Sequence, residues 1–268
     1  MPLAIDDLDD TWLPHVVAYL RRSPYRNALQ LSNVTQLRQR CAVVLAHSNG
    51  LVQGVASHYR DLPFLGLTFV AELGETLPRL LEALANKVPA LRTATLTAIF
   101  PEHRAKQLAE YVHIKSQAIA WQMVVEPETL RAHETPSVQR LRFEDLPAMN
   151  ELATQCGLVA WRPDVFHNGP AFGVFREGSL AAMAATHFAT PDVIEIGNIA
   201  THPDYRRQGL ASACTSALAS ACFALAPRVY LMVMAENTAA YETYGKLGFW
   251  PFERFALVSF RLQNAPAE

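Results

Sequence analysis

Apolar positions in the second half of the chain switch between the spacing of strands and that of helices. Residues 138–143 alternate like a strand, and Asp145 followed by Pro147 predicts the start of a helix that ends at Gly157. The remaining pattern predicts a hairpin of strands 171–176 and 179–188, then a strand at 193–201 and an uncharged helix at 210–226. It further predicts a buried strand at 229–235, a helix at 237–247 that ends at Gly248, and a final strand region at 249–262. This order predicts an α/β fold with a mixed sheet.

The first half of the chain has a similar order of elements. The pattern predicts helices at 12–21 and 27–37, followed by strands at 42–46, 51–58 and 65–72. It then predicts a helix at 77–87, a strand at 92–99, a helix at 102–112 and a strand at 118–125. Between the halves, residues 126–136 are polar, carry proline near both ends and lack apolar periodicity, as an interdomain linker does. We therefore expect two domains, at residues 1–130 and 137–268.

Composition and charge narrow the classes of function. Of the 268 residues, 50% are hydrophobic and 18% charged, which is typical of a folded globular protein. The formal net charge of −2 provides no basic surface for DNA or RNA, so no nucleic-acid partner is expected. The four cysteines lack metal-ligand spacing, and the acidic N-terminus resembles no secretory signal, so we expect a reducing, cytoplasmic location and no metal site.

One uncharged stretch approaches the length of a membrane span. It runs over residues 210–226 and is rich in alanine, serine, cysteine and threonine. Because it follows a basic turn suited to a phosphate, we interpret it as a buried helix and expect no membrane partner.

The turn Arg206-Arg207-Gln208-Gly209-Leu210-Ala211 joins a predicted strand to that helix. Gly209 and Ala211 keep side chains away, so successive backbone N–H groups can point at one anion, and the helix dipole adds positive potential there. The two arginines can neutralise phosphate charge, and Ser212 offers a hydroxyl. This segment predicts a pyrophosphate site.

A second motif lies downstream, with Asn237, Ala240, Tyr244, Gly248 and Phe249 at fixed spacing. Together with the turn, it resembles the GNAT superfamily of CoA-dependent N-acetyltransferases over about residues 138–262. The resemblance implies a GNAT-type acyltransferase fold with acetyl-CoA as co-substrate, and two similar halves in tandem, the first half degenerate because it lacks the turn. It further implies that pantetheine runs along the backbone of Ile199, Ala200 and Thr201, with Asn237 also at the CoA site.

Two residues are candidates for acid-base chemistry. Glu195 lies four residues before Ile199, the spacing at which histone acetyltransferases of the superfamily place their general base, and alternation puts it on one face with Gly197. The alternative is a solvent-facing or salt-bridged glutamate. Tyr244 matches the tyrosine that donates a proton to the CoA sulfur in many GNAT enzymes; the alternative is a ring that only packs on the CoA tail, with Tyr241 as a nearby decoy.

The resulting hypothesis is an N-acetyltransferase that moves an acetyl group from acetyl-CoA to a primary amine of a small molecule or peptide, directly in a ternary complex. Residues 157–169 are expected to shape the acceptor pocket, and a homodimer is compatible with this hypothesis. The alternative is a non-catalytic acyl-CoA-binding regulatory module. A nucleotide-binding protein is disfavoured because the turn lacks P-loop and Rossmann spacing. His167, His187 and His202 lack partners at metal spacing and are expected to be ordinary surface or core residues.

Overall fold

The computed structural model of the chain describes residues 2–71, 74–133, 135 and 137–262, apart from the side chains of residues 106 and 107. The chain divides into two compact units. Unit 1 comprises residues 1–120 and 253–268, and unit 2 comprises residues 121–252. The sequence expectation instead placed the division within residues 131–136 and kept the whole C-terminus in the second domain. Glu134, Pro136 and residues 263–268, which those expectations included, lie outside the described residues.

In the described part of residues 2–125, the elements are four α-helices and six strands. They are β1 (Ala4–Asp7), α1 (Leu13–Leu20), α2 (Ala28–Val34), β2 (Cys41–Ser48), β3 (Leu51–Tyr59), β4 (Leu65–Ala71), α3 (Thr76–Lys87), β5 (Leu96–Pro101), α4 (Ala105–Leu108) and β6 (Val112–Val125).

Among the described residues that follow, up to 262, the elements are three α-helices and six strands. They are β7 (Val138–Arg140), α5 (Leu146–Gln155), β8 (Ala171–Arg176), β9 (Ser179–Ala189), β10 (Ile194–Thr201), α6 (Leu210–Phe223), β11 (Val229–Met234), α7 (Thr238–Lys246) and β12 (Trp250–Leu262).

Unit 1 is built on a sheet with the order β1-β2-β3-β4-β5-β12. Only the β4–β5 pair is parallel among the pairs for which registers are known. The last strand belongs here because residues 255–260 of β12 run antiparallel to β5. Its alternating side chains Ala256, Val258 and Phe260 are fully buried in the same core as the apolar face of α3. This pairing explains why the C-terminal residues belong to unit 1 and not to the domain expected from the sequence.

Unit 2 holds a mixed sheet with the order β11-β10-β9-β8-β7. Strand β10 runs antiparallel to β9 and parallel to β11. Helix α6 packs its buried side, including Cys214, Leu218 and Cys222, on one face of the sheet, and α5 covers the other face with Met149 and Leu152. These two covered faces, one helix on each, confirm the α/β class that the sequence predicted.

The parallel pair β10–β11 opens after only two residue pairs. Ile194 faces Val229 and Glu195 faces Tyr230, after which the two strands separate. On its other side, β10 has register shifts against β9 at Glu195/Ile196 and between Gly197 and Ala200, and Asn198 adopts a positive φ of 48°. A bulge of this kind bends a strand away from its neighbour. The gap that results lies beside residues 199–201 of β10, which line a cleft.

Several predicted elements differ from the structure. The strand predicted at 92–99 is shifted, because residues 89–92 form a 3₁₀ helix and β5 begins at Leu96. The helix predicted at 102–112 shortens to a 3₁₀ turn and α4, and β6 already begins at Val112. The strand β1 was not predicted at all. Four residues with two exposed aspartates carry too little periodicity, and pairing with β2 alone defines this strand.

Candidate functional site

The predicted phosphate turn leads from β10 into α6. Gly209 is the N-cap of α6 and has φ of +76°, and Arg207 also lies in the left-handed region, at +62°. The first N–H groups of an α-helix lack partners within the helix, so those of residues 210–212 are available to a ligand. Alternation of left- and right-handed residues also turns neighbouring N–H groups towards one concavity that suits anions. The backbone of this turn is therefore shaped for a phosphate group.

The two arginines of the turn place positive charge beside the N-terminus of α6. Arg206 and Arg207 are both exposed, and neither forms an ion pair with any residue in the described part of the chain. Arg206 Nε donates a hydrogen bond of 3.3 Å to the carbonyl oxygen of Thr201, which ties the turn to the end of β10. The guanidinium groups thus remain free to neutralise a polyanion beside the N-terminus of α6.

The segment that precedes β7 also contacts this turn. A Cβ atom at Gly209 would lie 2.8 Å from His133 Nε2, and the backbone N–H of His133 donates to Ser216 Oγ at 3.1 Å. Any side chain at position 209 would therefore both strain the backbone and displace His133. The sequence explained Gly209 by the approach of an anion alone and gave no signal for His133.

A cleft of about 650 Å³ joins the turn to the gap beside β10. Its walls contain the backbone candidates Ile199, Ala200 and Thr201 on one side, and α7 residues on the other. The complete lining is Cys156, Leu158, Ile199, Ala200, Thr201, Tyr205, Arg206, Arg207, Gly209, Leu210, Ala211, Ser212, Asn237, Ala239, Ala240, Thr243 and Tyr244. Of the predicted site residues, the cleft thus collects all except Gln208, an exposed turn residue, and Glu195.

Two further details of the cleft concern its polar atoms. The buried hydroxyl Oγ1 of Thr201 has no hydrogen-bond partner within the described residues, which is unusual for a buried polar atom. Asn237 caps α7, where its Oδ1 accepts the backbone N–H of Ala240 at 3.2 Å, so part of its role is local.

Tyr244 lies in the cleft wall with only 8% of its surface exposed. Burial raises the pKa of its phenol to about 12, so the hydroxyl remains protonated and can donate a hydrogen bond near neutral pH. That hydroxyl forms no hydrogen bond with any residue that the structure describes. Tyr241, the decoy one turn away, instead packs its ring on Trp121 at a centroid distance of 6.1 Å.

Glu195 is buried, with 10% of its side chain exposed, and both of its oxygens accept hydrogen bonds. His187 Nδ1 lies 2.8 Å from Oε1, and the Tyr230 hydroxyl donates to Oε2 at 2.6 Å. Burial and the adjacent carboxylate raise the pKa of Tyr230 well above its usual value, so this phenol remains a donor. The glutamate is thus not solvent-facing, and its contact with His187 is a salt bridge whenever the imidazole is protonated, as the salt-bridged alternative expected.

The sequence interpretation missed the partner His187. We expected an ordinary surface or core histidine, but its ring is joined to the candidate base across neighbouring strands. The available signal was the short turn at 190–193, which brings β9 and β10 together with His187 and Glu195 at similar distances from it. The offset introduced by the bulge could not be inferred from that spacing.

Among the described residues, no group of three or more His, Cys, Asp or Glu side chains is arranged to hold a metal ion. No helix in the same part of the chain combines the length and the apolar character required to cross a bilayer.

Comparison with known proteins places unit 2 in a sequence family. The profile of the Acetyltransferase (GNAT) family matches residues 136–249. Over 122 residues, the chain is 31% identical to the ribosomal protein bS18-alanine N-acetyltransferase of Escherichia coli K12, a match that covers 42% of this chain and 80% of that enzyme. The enzyme of the same name from Shigella flexneri matches to the same extent.

Solved structures extend the likeness of the fold to both units. A tandem GNAT protein from the clavulanic acid biosynthesis pathway covers 100% of both chains with a TM-score of 0.66 and 15% identity. A GCN5-related N-acetyltransferase from Sphaerobacter thermophilus covers 99% of this chain and 97% of its own, with a TM-score of 0.69 and 14% identity. At these identities the similarity concerns the fold alone.

Proposed function

We propose that this chain, which belongs to the Acetyltransferase (GNAT) family and is therefore an acyltransferase, moves an acetyl group from acetyl-CoA to a primary amine. The observation that carries the proposal is the cleft, since it joins an anion-binding turn, an opened strand pair and a protonated tyrosine. The pyrophosphate of CoA fits the N–H groups of residues 210–212 with Arg206 and Arg207 beside it. The pantetheine then follows the free edge of β10 at Ile199, Ala200 and Thr201.

The thioester supplies the activated acetyl group. Residues of unit 2 assist loss of the ammonium proton and donate a proton to the CoA sulfur. The negative charge of Glu195, which is hydrogen-bonded to His187, favours loss of the proton from the acceptor ammonium. The hydroxyl of Tyr244, which stays protonated because of its raised pKa, donates to the departing CoA sulfur. Both substrates are bound together in this scheme, so transfer is direct and needs no acetylated side chain.

The acceptor is a primary amine carried by a small molecule or a peptide. The related enzymes from E. coli and Shigella are named for an alanine residue of a ribosomal protein, which favours an N-terminal amine as the first acceptor to test. The loop 157–169 contributes Leu158 to the cleft wall and is our candidate for the acceptor-contacting segment. The proposal includes a cytoplasmic location.

Thiol release with a panel of amines tests this function. The panel contains a short peptide with N-terminal alanine, the same peptide with an acetylated N-terminus as matched control, free amino acids and a polyamine. The proposal predicts thiol release above the hydrolysis background with at least one free amine and none with the blocked peptide. Tight acetyl-CoA binding without release for any amine would instead indicate a non-catalytic acyl-CoA-binding module.

A further inference from the structure

His187 occupies a bulge that turns its side chain towards the candidate base. On β10, the consecutive residues Glu195 and Ile196 pair with Phe188 and Thr186 of β9, so His187 has no opposite residue. An extra residue of this kind re-aims a side chain, and bulges occur often beside active sites. Here the bulge brings Nδ1 of the imidazole to 2.8 Å from the Glu195 carboxylate.

The imidazole is the more accessible member of this pair. The side chain of His187 is 35% exposed, compared with 10% for Glu195. Because Nδ1 is engaged by the carboxylate, the neutral ring carries its proton there and has a lone pair on Nε2. Nε2 forms no hydrogen bond with any residue in the described ranges. Glu195, by contrast, has a hydrogen-bond donor on each oxygen.

The position of His187 connects it with the cleft. A Cβ atom at Gly197 would lie 3.4 Å from His187 Cβ, and Gly197 precedes the cleft residue Ile199 by two positions on the same strand. The loop that supplies Leu158 to the cleft also reaches the histidine, because Asn168 Nδ2 donates to the His187 carbonyl at 2.8 Å. The histidine therefore lies between the opened strand and the loop expected to meet the acceptor.

We propose that His187 Nε2 is the group that takes the proton from the acceptor ammonium, and that Glu195 acts as its positioning residue. This inference rests on the proposed function. The ammonium gives one proton to Nε2, and the imidazolium that forms is neutralised by the Glu195 carboxylate. The free amine attacks the thioester carbonyl carbon, and the C–S bond breaks with its electron pair on sulfur.

The remaining protons balance without another reagent. The sulfur takes the Tyr244 hydroxyl proton, and the second proton lost by the nitrogen restores that hydroxyl through solvent. His187 releases its own proton to solvent before the next turnover. One amide, one CoA thiol and one proton result from one ammonium and one acetyl-CoA.

The charges around His187 define a pH dependence. Burial lowers the pKa of the imidazole, but the charge and hydrogen bond of Glu195 outweigh it, so the pKa lies above the ordinary value of 6.5. Arg162, from the loop before the 3₁₀ helix at 165–167, lowers it and is itself paired with Asp164. Tyr230, from β11, remains a neutral donor to Glu195. Since the base must be unprotonated, kcat/KM should fall on the acid side through a pKa above 6.5.

Three variants and one NMR titration test the assignment of His187 as the base. The variants are assayed with the amine that gives the most thiol release in the amine panel of the function test. His187→Asn keeps an N–H donor near the Nδ1 position and removes Nε2. His187→Ala opens a space in which added imidazole can act. His113→Asn is the matched control, because His113 is exposed and lies in unit 1, outside the residues that line the cleft. NMR titration of the wild-type imidazole reports its pKa without any acceptor.

In single turnovers, we expect His187→Asn to lower the rate by ~10²-fold or more with unchanged acetyl-CoA affinity. Added imidazole should restore part of the His187→Ala rate, and His113→Asn should leave the rate unchanged. The NMR pKa should coincide with the acid limb, and Glu195→Gln should move both to lower pH. A wild-type rate in His187→Asn, or an NMR pKa that differs from the acid limb, would overturn the assignment while leaving acetyl transfer intact. If wild-type protein releases no thiol with any amine, the proposed function itself fails and the assignment falls with it.

Discussion

Replacement of Gly209 by tryptophan tests the pyrophosphate site at its most constrained position. With φ at +76°, any L side chain there strains the backbone by about 1–2 kcal/mol, and an indole would compete for space with His133 beside the start of α6. Hydrogen bonds to a charged group contribute about 1.5 kcal/mol or more each. Loss of two such bonds to phosphate should therefore weaken acetyl-CoA binding by ~10²-fold.

A matched substitution separates this effect from backbone strain. Gly178 has nearly the same φ, +82°, and open space around it, but lies in the β8–β9 turn and outside the cleft lining. Gly178→Trp should reduce the free energy of unfolding by a similar amount and leave acetyl-CoA affinity unchanged. His133→Ala controls for displacement of the neighbouring imidazole. The assay is calorimetric titration with acetyl-CoA on variants shown to be folded, and an unaltered affinity in Gly209→Trp would remove the pyrophosphate assignment.

Three further predictions follow from the same cleft. Tyr244→Phe should slow single-turnover transfer by ~10²-fold without changing acetyl-CoA affinity. The control Tyr241→Phe should transfer at the wild-type rate, because the Tyr241 ring packs on Trp121. Equal rates in wild type and both variants would exclude Tyr244 as the proton donor. Unit 1 lacks the Arg-x-x-Gly-x-Ala turn, so saturation binding should give one acetyl-CoA per chain, and a stoichiometry of two would be inconsistent with a degenerate first half. Cys156 lines the cleft and is part-exposed, while the other three cysteines are buried. A thiol reagent should therefore modify Cys156 alone, as located by peptide mass spectrometry, and bound acetyl-CoA should slow this modification. Modification at an unchanged rate with bound acetyl-CoA would place the ligand elsewhere.

The fold was predictable where one residue pattern determines one element. The β8–β9 hairpin follows from strand segments flanking Glu177-Gly178, and α6 follows from an uncharged run after a glycine N-cap. The pairing of β12 in the sheet of unit 1 was not predictable, because the alternating pattern of β12 fits any half-buried sheet position. Only the pairing of residues 255–260 with β5, far away in sequence, determines its place.

The candidate site likewise has one part that the sequence predicts and another part that depends on contacts between distant strands. The turn at 206–211 is a contiguous segment whose backbone requirement appears in its glycine, so the sequence was sufficient to find it. The environment of Glu195 depends on three strands, on a bulge at His187 and on the partner Tyr230, none of which leaves a local pattern. Sequence could therefore suggest the carboxylate as a candidate but not the imidazole that contacts it.

Rapid-quench single turnover with acetyl-labelled acetyl-CoA tests the central claim most directly. Enzyme in excess is mixed with labelled acetyl-CoA and the preferred amine, and label is followed on the amine, on the protein and in free acetate. Direct transfer at the cleft predicts that label appears on the amine at the rate at which CoA thiol is released, with none passing through the protein. Label that accumulates first on a side chain such as Cys156, or that never reaches the amine while acetyl-CoA stays bound, would contradict it.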